Sequence, residues 1–125
     1  MNTKELREEL NGAFTKMNEM KNSFMVKRPI LNGGVYMTKT KCGNPNCKCI
    51  REGKLHEVWR YYFTEDGKNK VRTLKKKDLK KYKDLTERYR KFRSARASYI
   101  QLHKRIVDLL NKLENTLVEE GEELV

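Results

Sequence analysis

The residues best suited to chemistry lie together in the segment KCGNPNCKCIREGKLH, residues 41–56, which holds all three cysteines and one of the two histidines. Cys42, Cys47 and Cys49 follow a C-x4-C-x-C spacing, and His56 lies seven residues further on. The Gly-Asn-Pro-Asn insert between the first two cysteines favours a turn that brings their side chains together. Three thiolates and an imidazole satisfy the tetrahedral preference of zinc, so the four residues predict a closed structural zinc site.

Other roles for the cysteines fit the spacing less well. An iron–sulfur cluster needs a fourth cysteine, and thioredoxin-like redox chemistry needs a C-x-x-C pair. A catalytic zinc would carry an HExxH motif, or H-x-E with P-C-x-x-C, and neither is present. Three plain thiols in a loop are the open alternative to structural zinc.

The expected compartment also bears on the role of the cysteines. The amino-terminal MNTKELREEL lacks the apolar run of a signal peptide, and no stretch has the roughly 18 apolar residues of a membrane span. We therefore expect a cytoplasmic protein. In that reducing compartment an odd number of closely spaced cysteines favours metal binding or free thiols over disulfides.

The run GGVYMTKTKCGNPNCKCIREGKLH, followed by YYFTEDGKNKVRTLKKKDL, resembles a family of small, largely uncharacterised bacterial and archaeal proteins. In that family a Cys-Gly-x-Pro-x-Cys-x-Cys segment and a nearby histidine precede a tyrosine-rich strand, a Gly-Lys hairpin and a charged helix. The resemblance covers about residues 33–81. Family members usually continue from the histidine into Gly-Pro-Tyr, where this chain has Glu57-Val58-Trp59. The resemblance implies a metal-bound β-hairpin unit and no established activity.

Sequence patterns predict an α+β fold in a single domain, 1–125. Residues 3–24 place apolar side chains at helical spacing behind an Asn2/Glu5 capping box. Residues 33–74 form a cysteine-rich β module, whose small sheet needs a helix or a metal for stability. Its Asp66-Gly67 pair favours a tight hairpin turn. Residues 75–120 contain no proline or glycine and predict a long basic helix, followed by an acidic tail at 121–125.

The predicted long helix carries a heptad stripe. Its members are Tyr82, Leu85, Tyr89, Phe92, Arg96, Tyr99, His103, Ile106, Leu110, Leu113 and Leu117. A helix of about 45 residues extends roughly 65 Å, and the first helix is long enough to cover only about half of it. We therefore expect a homodimer through the long helix. Packing against the first helix, or a helical hairpin bent near 94–98, is the alternative.

Basic residues dominate the middle of the chain. The net charge is +12, and residues 68–96 hold fourteen lysines and arginines against three acidic residues. A merely solvated face usually interleaves both signs, so contact with phosphates is the preferred interpretation. The expected nucleic-acid-binding residues are Arg60, Tyr62, Lys68, Lys70, Arg72, Lys75, Lys76, Lys77, Lys80, Lys81 and Lys83.

The aromatic strand HEVWRYYF has two faces. Trp59, Tyr61 and Phe63 share one, which we expect to be core. Tyr62, together with Arg60, Lys70 and Arg72, is expected to form a second surface that stacks on bases or enters a groove as a β-ribbon.

These features favour a DNA-binding homodimer with a structural zinc site, acting in regulation or linked to a mobile element. RNA or single-stranded nucleic acid is the nearest alternative, and a coiled-coil module that binds protein is another. We expect no enzyme activity, because the chain shows no phosphate loop, nucleophile elbow or paired-carboxylate site.

Overall fold

The computed structural model describes residues 1–41, 43–47 and 51–125. Its helices are α1 (Thr3–Phe24) and α2 (Leu79–Glu123), and its strands are β1 (Gly34–Thr40), β2 (His56–Glu65) and β3 (Lys68–Thr73), with a 3-10 turn at Lys76–Asp78 before α2. The three strands form one antiparallel sheet in the order β1-β2-β3. The predicted α+β class is therefore confirmed, with an N-terminal helix, a small sheet and a long C-terminal helix.

The chain divides into two compact units. The helical unit consists of Met1–Lys27 and Lys91–Val125, and the sheet unit is Arg28–Arg90. Because α2 contributes to both units, the single domain over 1–125 stays a prediction. Within the described ranges, no helix is long and apolar enough to cross a membrane.

In the helical unit, α1 begins where the sequence predicts. The side-chain oxygen of Asn2 accepts a hydrogen bond from the backbone N–H of Glu5 at 2.8 Å, which caps the first turn of α1. Leu6 and Leu10 of α1 are buried against Ile106 and Leu109 of α2. Four partly buried side chains extend this core: Ala13, Met17, Leu102 and Leu113.

The buried face of α2 only partly follows the predicted heptad stripe. Leu109 is 1% exposed although it lies outside that stripe, whereas Leu110 is 44% exposed and Leu117 is 47% exposed. Further along α2, Phe24 makes edge contacts with Phe92 and Tyr99 at centroid distances of 5.9 and 5.7 Å. α1 is thus one partner of the long helix, and part of the predicted stripe is left uncovered.

The long helix starts later than predicted and is continuous. The backbone N–H of Leu74 still donates to the carbonyl of Trp59 at 2.8 Å, and Lys75 is extended, with φ −78° and ψ 149°. These constraints delay the α-helix to Leu79. It then runs without a break through 94–98 and includes most of the predicted acidic tail, so the bent helical hairpin is wrong.

In the sheet unit, the predicted hairpin turn is present between β2 and β3. Asp66 and Gly67 both have positive φ, at 52° and 76°, as a type I′ turn requires. This two-residue turn pairs Glu65 with Lys68 and thereby sets the register of the whole hairpin.

The inner face of the sheet carries Trp59, Tyr61 and Phe63, as predicted. Tyr61 is 4% exposed, stacks on Phe63 at 4.6 Å and lies 5.2 Å from the ring of Tyr82 at the start of α2. Trp59 and Phe63 are half-buried. The aromatic core of this unit is therefore centred on Tyr61.

Tyr61 also anchors the segment that precedes β1. Its hydroxyl donates to the carbonyl of Asn32 at 2.5 Å, and Leu31 and Pro29 of the same segment hydrogen-bond to Leu85 and Arg88 of α2. Burial raises the pKa of Tyr61, and the neighbouring Tyr82 adds to the shift. The hydroxyl therefore stays a donor at neutral pH.

We predict that Tyr61→Phe destabilises the sheet unit by about 1 kcal/mol, because it leaves the Asn32 carbonyl without its donor. Denaturant unfolding followed by tryptophan fluorescence, which reports on Trp59, measures the change. Tyr62→Phe is the matched control, since its side chain is exposed, and we expect it to be neutral. Equal effects of the two variants would contradict this anchoring role.

Candidate functional site

The pairing of β1 with β2 brings the two ends of the cysteine segment together. The register places Thr40, the last residue of β1, opposite His56, the first residue of β2. His56 therefore lies beside the point where the chain leaves β1 toward the cysteines, although residues 41–55 separate the two strands.

The insert before Cys47 forms the turn that its composition predicts. The backbone N–H of Cys47 donates to the carbonyl of Asn44 at 3.1 Å, with Pro45 at the second position of the turn. The side-chain oxygen of Asn44 accepts from the N–H of Asn46 at 3.0 Å. The turn reverses the chain and directs Cys47 back toward the sheet.

Two of the four predicted metal ligands meet as a result. The Sγ atom of Cys47 lies 2.9 Å from Nε2 of His56. Cys42 and Cys49 lie outside the described residues, and among the rest of the chain no group of three metal-ligating side chains occurs. Of the four predicted zinc ligands, the described residues therefore include Cys47 and His56, and these two are in contact.

The chemistry of this pair suits zinc. In a tetrahedral site, sulfur at about 2.3 Å and nitrogen at about 2.0 Å from the ion lie about 3.5 Å apart. The observed separation would have to widen by about 0.6 Å, which is a small adjustment for two side chains near the surface. The residues present thus fit a zinc ion, with Cys42 and Cys49 as the remaining predicted ligands.

The basic segment, residues 75–83, precedes and begins α2. The side chains of five of its lysines are exposed and form no ion pair with any described residue: Lys75, Lys76, Lys77, Lys80 and Lys81. The first turn of α2 contains no acidic residue. No ion pair within the described chain therefore neutralises these lysines, although Asp78 lies within the segment.

Three other predicted nucleic-acid contacts have partners inside the sheet unit. The ammonium of Lys83 lies over the Trp59 ring at 3.9 Å from its centroid, and Arg72 donates to the Tyr82 hydroxyl at 3.1 Å. Lys70 pairs with Glu65 at 3.5 Å. Lys83 and Arg72 thus support the packing of the sheet against α2, whereas Lys68 of the hairpin is exposed and forms no ion pair with a described residue.

The register separates residues that the sequence analysis grouped on one surface. Lys70 pairs with Phe63, and Arg72 with Tyr61, so both share the inner face. Arg60 and Tyr62 belong to the opposite, outer face. The expected surface of Tyr62 with Arg60, Lys70 and Arg72 is therefore wrong as a set, because directly paired residues project to the same side.

The outer face holds an aromatic pair that the sequence analysis missed. Tyr36 of β1 is the cross-strand partner of Arg60, and its ring lies 5.8 Å from that of Tyr62 at a tilt of 57°. Tyr36 is 55% exposed and Tyr62 is 37% exposed. Val71 of β3, paired with Tyr62, adds a third exposed apolar side chain. We call Tyr36, Arg60, Tyr62 and Val71 the outer patch.

An open cleft of about 540 Å³ adjoins Tyr62. It is lined by Asn32, Gly33, Tyr62, Phe63, Thr64, Asn69, Lys70 and Tyr89. Gly33 has a φ of 105°, and a Cβ there would overlap the carbonyl oxygen of Tyr62. Glycine is thus required where the chain passes this close to β2.

A family profile matches residues 4–91, well over half of the chain, and its description is a domain of unknown function, DUF6788. The chain belongs to this DUF6788 family. An uncharacterised family was expected from residues 33–81, and the match includes that range. Neither the curated proteins nor the solved structures give a significant match.

The DUF6788 range contains α1 from its second residue, the cysteine segment, the whole sheet and the basic segment, and it ends within α2. Both candidate sites described above therefore belong to the family domain. The family description assigns them no activity, so function has to be argued from their chemistry.

We predict about one zinc ion per chain in protein purified under reducing, metal-replete conditions, lost in Cys47→Ser and in His56→Asn. Elemental analysis measures the content. His103→Asn, a change of the other histidine, is the matched control and should retain the metal. Retention of zinc by His56→Asn would show that His56 is not a ligand. Absence of zinc from the wild type would show that the cysteines are plain thiols.

Proposed function

We propose that this chain binds nucleic acid, preferentially duplex DNA, through the basic segment and Lys68 of the neighbouring hairpin. The observation that carries the proposal is the cluster of five exposed lysines without acidic partners in the described chain. Binding without catalysis and a cytoplasmic location belong to the same proposal.

The lysine cluster suits a phosphate backbone in both charge and position. Uncompensated cations at the start of a helix lie beside its partial positive charge, which is unfavourable until an anion binds. Each phosphate neutralised by a lysine also releases condensed counterions from the duplex. Such contacts supply affinity without reading the base sequence.

Zinc has a structural role in this proposal. Cys47 and His56, with Cys42 and Cys49, would hold the cysteine segment against the ends of β1 and β2. A three-stranded sheet with only one packed face gains stability from such a closure. Because β2 and β3 also pack on the start of α2, the metal would support the surface that carries the lysines without touching the ligand.

We predict that Lys75→Glu/Lys76→Glu/Lys77→Glu weakens binding to a short duplex at least about tenfold at moderate salt, because each reversal replaces attraction to phosphate by repulsion. The slope of log affinity against log salt should fall by about 3, or about 1 per lysine. Fluorescence anisotropy with a labelled duplex measures both quantities.

The matched control is Lys4→Glu/Lys16→Glu/Lys21→Glu in α1, which changes the net charge equally at exposed positions outside the sheet unit. We expect it to cause a much smaller loss. Equal losses in the two triple variants would mean that net charge alone drives binding and that the basic segment is not the site.

A second candidate is binding of single-stranded nucleic acid, RNA included, on the outer patch. It is favoured by the exposed Tyr36–Tyr62 pair, with Arg60 beside Tyr36 and the cleft beside Tyr62. Exposed aromatic rings on a sheet stack on unpaired bases, whereas a duplex hides its bases. Val71 extends the apolar surface under such a strand.

We predict that Tyr36→Ala/Tyr62→Ala weakens binding of a single strand by about 1–3 kcal/mol per stacked base and leaves duplex binding nearly unchanged. Parallel titrations with single-stranded RNA, single-stranded DNA and duplex DNA at one salt concentration make the comparison. Tyr36→Phe/Tyr62→Phe keeps the rings and should behave as wild type. A wild type that prefers single strands, together with this loss, would favour the second candidate over the first.

A further inference from the structure

The helical unit leaves one apolar strip of α2 largely exposed, although Tyr99 at its start contacts Phe24 of α1. Its members, which we call the exposed stripe, are Tyr99, Val107, Leu110, Leu117 and Val118, and their exposed fractions run from 36% to 52%. The stripe extends about 30 Å along the helix at 1.5 Å per residue. Exposed apolar side chains that line up over this length mark an interaction surface more often than isolated ones do.

The exposed stripe is continuous with the core. At 100° per residue, Leu102, Ile106, Leu109 and Leu113 point to one side of α2, and the exposed stripe occupies the adjoining sector. Together they span an arc of about 180°, in which His103 and Glu114 are polar positions, and α1 covers the first half of the arc. A helix with an arc this wide fits a bundle of more than two helices.

The charge on α2 reverses at the centre of the stripe. From residue 91 to 107 there are five basic residues and no acidic ones. From 108 to 123 there are six acidic residues and a single lysine. The two halves of the helix therefore carry net charges of opposite sign and equal size, with the change of sign at Val107.

The ion pairs of Arg105 and Lys112 lie in the middle of this pattern. Arg105 contacts Glu9 of α1 at 2.7 Å and Asp108 at 3.2 Å, and Lys112 contacts Asp108 at 3.2 Å. Toward the ends, Arg93 and Arg96 form no ion pair with a described residue. The same holds for the acidic side chains of Glu114, Glu119, Glu120, Glu122 and Glu123.

We propose that a second copy of this chain covers the exposed stripe, with the two α2 helices antiparallel. A two-fold axis near residues 108 and 109 sets Val107 against the partner subunit's Leu110. The same axis sets Tyr99 against the partner subunit's Val118. It also brings Arg93 and Arg96 of each copy alongside the acidic end of the other.

The charge pattern of α2 indicates both the partner, a second copy of this chain, and the antiparallel direction of its α2. A parallel pair would place basic against basic and acidic against acidic along the whole stripe, which is destabilising. In an antiparallel pair the basic half of each α2 lies beside the acidic half of the other. A second copy of this chain therefore carries the complementary surface. The interface lies wholly in the helical unit and requires neither zinc nor nucleic acid.

The test is the mass of the full chain in solution without nucleic acid, by sedimentation equilibrium. We expect twice the chain mass of 14.9 kDa for wild type. Leu110→Glu/Leu117→Glu should raise the dissociation constant of the dimer at least about tenfold, because it places charges inside the apolar contact. Gln101→Glu/Asn115→Glu adds the same charge at exposed positions off the stripe and should leave the dimer intact.

A charge exchange tests the direction of the helices. Arg93→Glu/Arg96→Glu should weaken the dimer, and adding Glu122→Lys in the same chain should restore part of the affinity, because the antiparallel register places Glu122 opposite the partner subunit's Ala95, between the two arginine positions. Circular dichroism confirms that each variant keeps its helix content. A wild type at 14.9 kDa, a dimer unaffected by the stripe variant, or no restoration by the exchange overturns the proposal.

Discussion

The antiparallel pairing of β1 with β2 is the constraint from which both candidate sites follow. The last residue pair of these strands sets Thr40 opposite His56, and the His56 imidazole lies beside Cys47, nine residues earlier in the chain. The other residue pairs of these strands place Tyr36 beside Arg60 on the outer face and leave Tyr61 on the inner face. A slip of one residue would exchange the two faces and dismantle both arrangements together.

The cations of the sheet unit divide into two groups with different roles. Lys83, Arg72 and Lys70 contact Trp59, Tyr82 and Glu65, and so hold the sheet against the start of α2 and against its own turn. The lysines at 75–77, 80 and 81 have no such contacts within the described residues. An exposed cation that stabilises nothing inside the fold is the kind available to phosphate, and this distinction makes the basic segment the stronger candidate.

The sequence was informative where local chemistry decides the structure. The Asn2 cap, the Asp66-Gly67 turn and the turn before Cys47 depend on neighbours within a few residues, and the inner aromatic face follows from the alternation of side chains along β2; all are confirmed. The grouping of Lys70 with Tyr62 was wrong, yet a two-residue turn at 66 and 67 already implies that 63 pairs with 70. Tyr36 could not be found in this way, because its register depends on strands that meet across residues 41–55.

For the long helix, the sequence predicts the element but not which of its faces is buried. Two apolar stripes overlap on α2, each with steps of three and four, and the sequence does not say which of them α1 will cover. The heptad pattern identified the helix and the need for partners, whereas the assignment of Leu109 to the core and of Leu110 to the surface required the packing of α1.

The most direct test of the central claim is the affinity of the wild-type chain for a short labelled duplex, measured at about 50 and about 200 mM salt. Six phosphate contacts, by the five exposed lysines of the basic segment and by Lys68, predict a slope near −5.4, which is a loss of about 1,800-fold in affinity over that range. Absence of binding at the lower salt, or a loss below about fourfold, would contradict a site made of lysines on a phosphate backbone.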